Sequence, residues 1–209
     1  MTRNIISDQL VWRVMDYVEK RRDLRDRLMF YLLLTRGLRT GEICSLKAEH
    51  VDFDNGLIYV MDSKKKVLLP IPIDVKAFNM FEQLLNGRRK GYVFLRNRKQ
   101  FQYAGKPISV QGIWELVKRI AEQAGVKNFN PRMFRRHLAA FWMQKAGGHL
   151  AELQVIMRHA NPQVTWDYAN QFAFAEEISK EALRVTEEML RRGAVVKENL
   201  RVTQSQSSE

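Results

Sequence analysis

Cysteine is nearly absent from this chain: Cys44 is its only one, so no intrachain disulfide can form and a reducing cytoplasm suits it. Long apolar runs are missing too. The longest, Leu28 to Leu34, is seven residues, far short of the ~18 needed to cross a bilayer. The first ten residues carry polar and charged groups throughout, which excludes a signal peptide. Acidic residues are the minority charge, 23 Asp and Glu against 35 Lys and Arg, a net +12 with pI near 10.0. That excess calls for a polyanionic partner, with nucleic acid ahead of an anionic membrane surface. Several motifs are also lacking. With no CxxC and no HExxH there is no zinc ligand set, and with no GxxxxGK[ST] there is no phosphate loop. GxSxG is absent, and no compact carboxylate cluster suggests a two-metal nuclease.

What is present makes a folded protein. Hydrophobic residues are 45% and charged residues 28%, enough apolar side chain for a core in 209 residues. The periodicity predicts helices over residues 7–22, opened by Ser7, over 23–34, and over 40–51 after a break at Gly37. Residues 52–56 read as a turn. Residues 57–61 and 67–73 read as a hairpin around the basic turn DSKKK, and 92–95 as a short third strand. Asp74 caps a helix to Leu85, Ser109 caps one to Ala124, and Pro131 starts one that runs to Ala146. A short helix over 150–157 follows, then a helical stretch at 164–168 and a long amphipathic helix over 173–192. The Ser- and Gln-rich end, from about residue 197, reads as a disordered tail. The class is α+β, mostly α: a helical bundle with a small antiparallel sheet.

The chemistry-bearing residues fall in three segments. Arg39 follows Gly37 and Leu38 at a helix start, with Glu42 three residues on. An arginine there can fork onto a phosphate, and Glu42 either orients it or caps the first turn. The plain alternative is a solvated surface arginine. Lys64, Lys65 and Lys66 occupy the hairpin tip, where they serve as edge protection or, in a groove, place one ammonium to protonate a leaving oxygen. Arg132, Arg135, Arg136 and His137 crowd one helix. Arg132 shares a face with Arg135 and neighbours Arg136, and clustered cations repel unless an anion sits among them. Arg158 and His159 end the next helix, and Tyr168 lies nine residues further on. A tyrosine by itself is most often packing, and with a pKa near 10 it is a weak nucleophile. Surrounding guanidinium groups would stabilise its phenolate, so a cationic cluster and a reactive tyrosine need one another. Cys44, in an apolar helical frame, reads as a buried filler.

These segments resemble the tyrosine recombinases, the phage-integrase and Cre-type family. TRGLRTGEICSL matches the segment of the family's first arginine, at Arg39, with Glu42 at its acidic position. The hairpin lysine matches Lys64, with Lys65 and Lys66 as alternatives. The second arginine matches Arg135, the late histidine His159, and the nucleophile Tyr168. Two positions depart. The first histidine of the family's His-x-x-Arg is Arg132 here, as in some archaeal and viral members. The glycine before the late histidine is Arg158, which would add a phosphate contact or disturb the turn. Arginine stays protonated and cannot act as a base, so the proton of Tyr168 would go to His159, His137 or water.

The resemblance implies a catalytic domain over residues 1–195 and a tail over 196–209, without the separate N-terminal clamping domain of most relatives. The implied function is a site-specific recombinase that cleaves and rejoins DNA through a 3′-phosphotyrosyl link, without metal, ATP or other cofactor. Implied partners are double-stranded DNA, further copies of the chain as a dimer or tetramer, and an accessory DNA-binding factor, with no membrane and a cytoplasmic, nucleoid-associated location. A type IB topoisomerase-like cleaver and a non-catalytic DNA binder stand as alternatives.

Overall fold

The computed structural model describes residues 8–21, 23–62, 66–96, 105–145, 150–158 and 161. Within them seven helices enclose a core and a three-stranded sheet lies at one side. The helices are α1 (Asp8–Glu19), α2 (Leu24–Thr35), α3 (Thr40–Ser45), α4 (Val75–Leu85), α5 (Val110–Gln123), α6 (Pro131–Lys145) and α7 (Leu150–Met157). The strands are β1 (Val51–Asp52), β2 (Leu57–Asp62) and β3 (Val67–Pro72), antiparallel in the order β1-β2-β3. This is the expected class, a mostly helical bundle with a small antiparallel sheet. Among the described residues no helix is long and apolar enough to cross a membrane.

The helix α2 is apolar nearly all round, as a central element must be. Leu28, Met29, Phe30, Leu32 and Leu33 are all buried, and α1, α4 and α6 pack against it. Phe30 meets Phe134 of α6 edge to face with centroids 5.6 Å apart, and Phe134 meets Phe129 at 5.0 Å. This packing seats α6, which carries the arginine cluster, directly on α2. A smaller apolar group of Ala139, Leu153 and Met157, with Trp142 against it, fastens α7 to α6.

Caps hold the elements in register. Asp23, Asp74 and Ser109 each accept from a backbone N–H three residues on and start α2, α4 and α5. Asp74 also accepts from the Tyr31 hydroxyl at 3.0 Å and from Arg36 at 2.9 Å, which ties α2 to α4. In the hairpin Ile58 faces Ile71 and Val60 faces Leu69. Pro70 and Pro72 are tolerated because β3 is an edge strand.

The structure departs from two local expectations. The helix expected over 40–51 stops at Ser45, and a 3-10 turn at Ala48–His50 follows. Leu46 is extended and buried, and its carbonyl accepts from Val93 instead of continuing the helix. The strand expected at 92–95 does not join the hairpin. It is laced on one side to 46–48 and on the other to 106–108, through isolated bridges Lys47 to Tyr92 and Leu95 to Pro107. Ser7, the segments expected to be helical at 164–168 and 173–192, and the tail at 196–209 lie outside the described residues.

Candidate functional site

A cleft of about 380 Å³ opens between the start of α3, the start of α5 and the start of α6. It is lined by Leu38, Arg39, Thr40, Val110, Trp114, Pro131, Arg132 and Arg135. Three arginines from segments about a hundred residues apart in the chain line this one space. Among the described residues no carboxylate lines it.

Each arginine is held differently. Arg39 precedes α3 in extended backbone, and its side chain is 42% exposed. Its Nη1 donates to Glu42 Oε1 at 2.7 Å, and its Nη2 donates to the carbonyls of Met157 (3.3 Å) and Arg158 (2.8 Å). Arg135 is buried. It donates through Nη1 to the Gly37 carbonyl and through Nη2 to the Met157 carbonyl, both short contacts. Arg132, one turn earlier on α6, is exposed and its guanidinium lies over the Trp114 ring, 5.6 Å from the centroid. Thus α6 presents Arg132 and Arg135 on one face, as their spacing requires.

Glu42 both orients Arg39 and caps α3. Its Oε2 accepts from the Arg39 backbone N–H at 2.8 Å while Oε1 accepts from the Arg39 side chain. Burial alone would raise its carboxyl pKa. The facing Arg158, with help from Arg39, outweighs burial and holds that pKa below the ordinary value. Glu42 is therefore a buried anion at neutral pH.

Arg158 and His137 are placed away from the cleft. The Arg158 side chain is 8% exposed and folds inward onto Glu42 at 2.8 Å, so it is no external phosphate contact. It also keeps the turn that its departure from glycine put in question, at φ +51. His137 is buried with its ring edge-on to Trp12 of α1, 6.3 Å between centroids, and does not line the cleft. Arg136 is also not among the lining residues. Lys66 is exposed with φ +58, and its N–H donates to Asp62 O at 2.8 Å as the hairpin turns. Lys64, Lys65, His159 and Tyr168 lie outside the described residues. Cys44 is half-buried and its thiol is pushed up to about 11 by burial, as suits a packing residue rather than a nucleophile.

Trp114, Val110 and Thr40 are lining residues that the motif spacing does not reveal. Val110 and Trp114 are one turn apart on α5, which places them on one face, but only the meeting of α5 with α3 and α6 turns that face to the arginines.

Gly37 is the pivot. Its φ is +54, and an added Cβ would come within 3.0 Å of Leu138 Cδ2. Gly37→Ala is expected to lower stability by about 1–2 kcal/mol from the left-handed backbone alone. Urea unfolding at 25 °C measures it, with Gly41→Ala as the control because nothing lies within 4 Å of that position. Equal midpoints for the two variants would contradict this account.

The sequence matches the phage integrase family over residues 4–173. It is 30% identical over 169 residues to the tyrosine recombinase XerA of Thermococcus onnurineus, covering 80% of this chain and 56% of that one. It is 31% identical over 151 residues to the XerA of Pyrococcus horikoshii, covering 70% and 50%. The chain thus spans about half the length of the curated relatives it matches. In fold it is similar to the crystal structure of XerA recombinase, with TM-score 0.65, 23% identity, and 78% of this chain and 57% of that one covered. It is also similar to XerH site-specific recombinase bound to difH substrate before cleavage, with TM-score 0.63, 17% identity, and 78% and 48% covered.

Proposed function

The chain belongs to the phage integrase family, and from that premise we propose that it is a site-specific DNA recombinase whose residues 1–195 cleave and rejoin strands through Tyr168. The observation that carries this reading is the cleft in which Arg39, Arg132 and Arg135 converge, with no carboxylate lining it among the described residues. Guanidinium forks match the geometry of phosphate oxygens, and a half-sheltered cleft strengthens them relative to open water.

In this reading the phenolate oxygen of Tyr168 attacks a backbone phosphorus. The new bond is a 3′-phosphotyrosyl ester, and the bond to the 5′-oxygen breaks. Arg39, Arg135 and Arg132 neutralise the nonbridging oxygens as the pentacoordinate state forms, and His159 donates to the same phosphate. Lys64, with Lys65 or Lys66 as alternatives at the hairpin tip, protonates the departing 5′-oxygen. The Tyr168 proton goes to His159 or water. A 5′-hydroxyl from another strand reverses the step, so the energy of the phosphodiester is conserved and neither ATP nor metal is consumed. Exchange of two strands requires pairing of sites, hence a dimer or tetramer on double-stranded DNA, with an accessory DNA-binding factor where the chain alone holds DNA weakly. The net charge of +12 supports DNA as the partner.

The test is covalent trapping. Nicked suicide duplexes are built from the repeats that flank the gene and incubated with the protein, and SDS-resistant adducts are digested and mapped by mass spectrometry. The expected result is a phosphonucleotide on Tyr168, formed with chelator present. An adduct on another residue, or none on any flanking repeat, would reject the reading.

A further inference from the structure

Arg158 stands where a left-handed turn ends α7, at φ +51. Glycine adopts that backbone freely and an L side chain does so at a cost. The side chain is nonetheless a long cation, and it is 8% exposed. A buried charge in a strained position persists only when its surroundings hold it firmly.

Those surroundings are the Gly37 turn and α3, which form one side of the cleft, together with the last turn of α7. Arg158 Nε and Nη2 fork onto Glu42, at 3.2 Å to Oε1 and 2.8 Å to Oε2. Nη1 donates to the carbonyls of Arg36 (3.2 Å) and Ile156 (2.9 Å), and Nη2 also donates to Gly37 O (3.0 Å). One guanidinium therefore joins the end of α7 to the Gly37 turn and to α3. The main chain of the same residue takes part as well, because Arg158 O accepts from Arg39 Nη2 at 2.8 Å.

Charge arithmetic gives this brace a second consequence. Arg39 and Glu42 alone would be a closed ion pair of net charge zero, a poor receptor for an anion. With Arg158 on the same carboxylate the trio carries +2 − 1 = +1. Glu42 Oε1 is shared between Arg39 and Arg158, so neither cation is fully neutralised. Of the two, only Arg39 lines the cleft, so the surplus charge is available where a phosphate would sit.

We propose that Arg158 is a positioning residue that, by holding Glu42 and the Gly37 turn from behind, keeps Arg39 and Arg135 aimed into the cleft with charge to spare for a phosphate. This rests on the recombinase reading for the identity of the anion, but not for the hold on Arg39.

Two measurements on Arg158→Gly, Arg158→Met and Arg158→Lys test it. Arg158→Gly separates strain from function, since it relaxes the backbone while deleting the brace. The first measurement is NMR of the arginine side-chain N–H groups and needs no DNA. Arg39 guanidinium protons should exchange slowly in the wild type and rapidly in the Gly and Met variants. The second is single-turnover cleavage of the flanking-repeat suicide duplex. The rate constant at saturating DNA should fall by about 10–100-fold in Arg158→Gly and Arg158→Met, as when a supporting partner of a functional group is lost. DNA affinity should change much less, and Arg158→Lys should recover part of the rate.

Wild-type cleavage by Arg158→Gly, unchanged Arg39 exchange, or outright unfolding of both the Gly and Met variants would each overturn the proposal. If the wild-type protein itself forms no adduct, the recombinase reading fails, and the exchange measurement still decides whether Arg158 holds Arg39.

Discussion

Arg135→Ala should reduce single-turnover strand cleavage by at least about 10²–10³-fold, the usual loss when one preorganised donor to a developing oxyanion is removed. The position explains why the loss should fall on the chemistry as well as on the fold. Arg135 lines the cleft, yet it is buried and donates to the Gly37 and Met157 carbonyls. Neither carbonyl would be stranded by the substitution. Gly37 O also accepts from Arg158, and Met157 O also accepts from Arg39. The stability cost should therefore stay near that of lost charged hydrogen bonds, about 1.5–3 kcal/mol. Arg135→Lys keeps the charge but loses the fork that spans two carbonyls, so it should cleave nearly as poorly as alanine. The checks are rate constants at saturating DNA and urea unfolding of the same preparations. A lysine variant that cleaves like the wild type would show that charge alone suffices there.

Glu42→Ala should be the most destabilising single change in the site, by about 3–5 kcal/mol, because it leaves the buried Arg158 without its counter-ion. Its two oxygens accept from four donors: the Arg39 side chain and backbone N–H, and two nitrogens of Arg158. Glutamine cannot replace it, since its amide would turn a second donor toward the guanidinium groups. The wild-type protein should show the same weakness in acid. The folded-state pKa of Glu42 is lowered, so its contribution is fully present above the ordinary value of 4.5 and is lost as pH falls through the lower folded value. Thermal unfolding against pH, run beside Glu42→Ala, measures this. The gap between the two proteins should close on the acid side of 4.5, and a gap that persists there would assign the stabilisation to packing rather than to charge.

Much of the fold and part of the site are legible in the order of residues. Helix starts at Asp74, Ser109 and Pro131 follow from side chains that satisfy or do without the first orphan N–H groups, and the structure has each of them. The hairpin over 57–73 is legible from two short apolar runs around a basic turn. The convergence of Arg39 with Arg132 and Arg135 is suggested by their order in the chain and by the family resemblance. The pairing of 92–95 with 46–48 and 106–108 is not, because partners for an isolated bridge leave no periodic trace. Nor is the true end of α3, which is decided by a carbonyl on Leu46 that Val93 claims.

Residue types and their order determined by themselves the basic character, the absence of disulfides and zinc motifs, the positions of most helices, and which arginines could form a set. These are local or additive properties, readable from charge, period and capping. Tertiary structure alone decided which cations face the cleft and which face the interior. Arg39 and Arg158 are the same residue type at the edges of neighbouring segments, yet one side chain is 42% exposed and the other 8%. The difference arises because α7, seated on α6 through Leu153 and Met157, delivers Arg158 behind Glu42, where carbonyls of the Gly37 turn and one shared carboxylate can hold a charge that no local rule would bury.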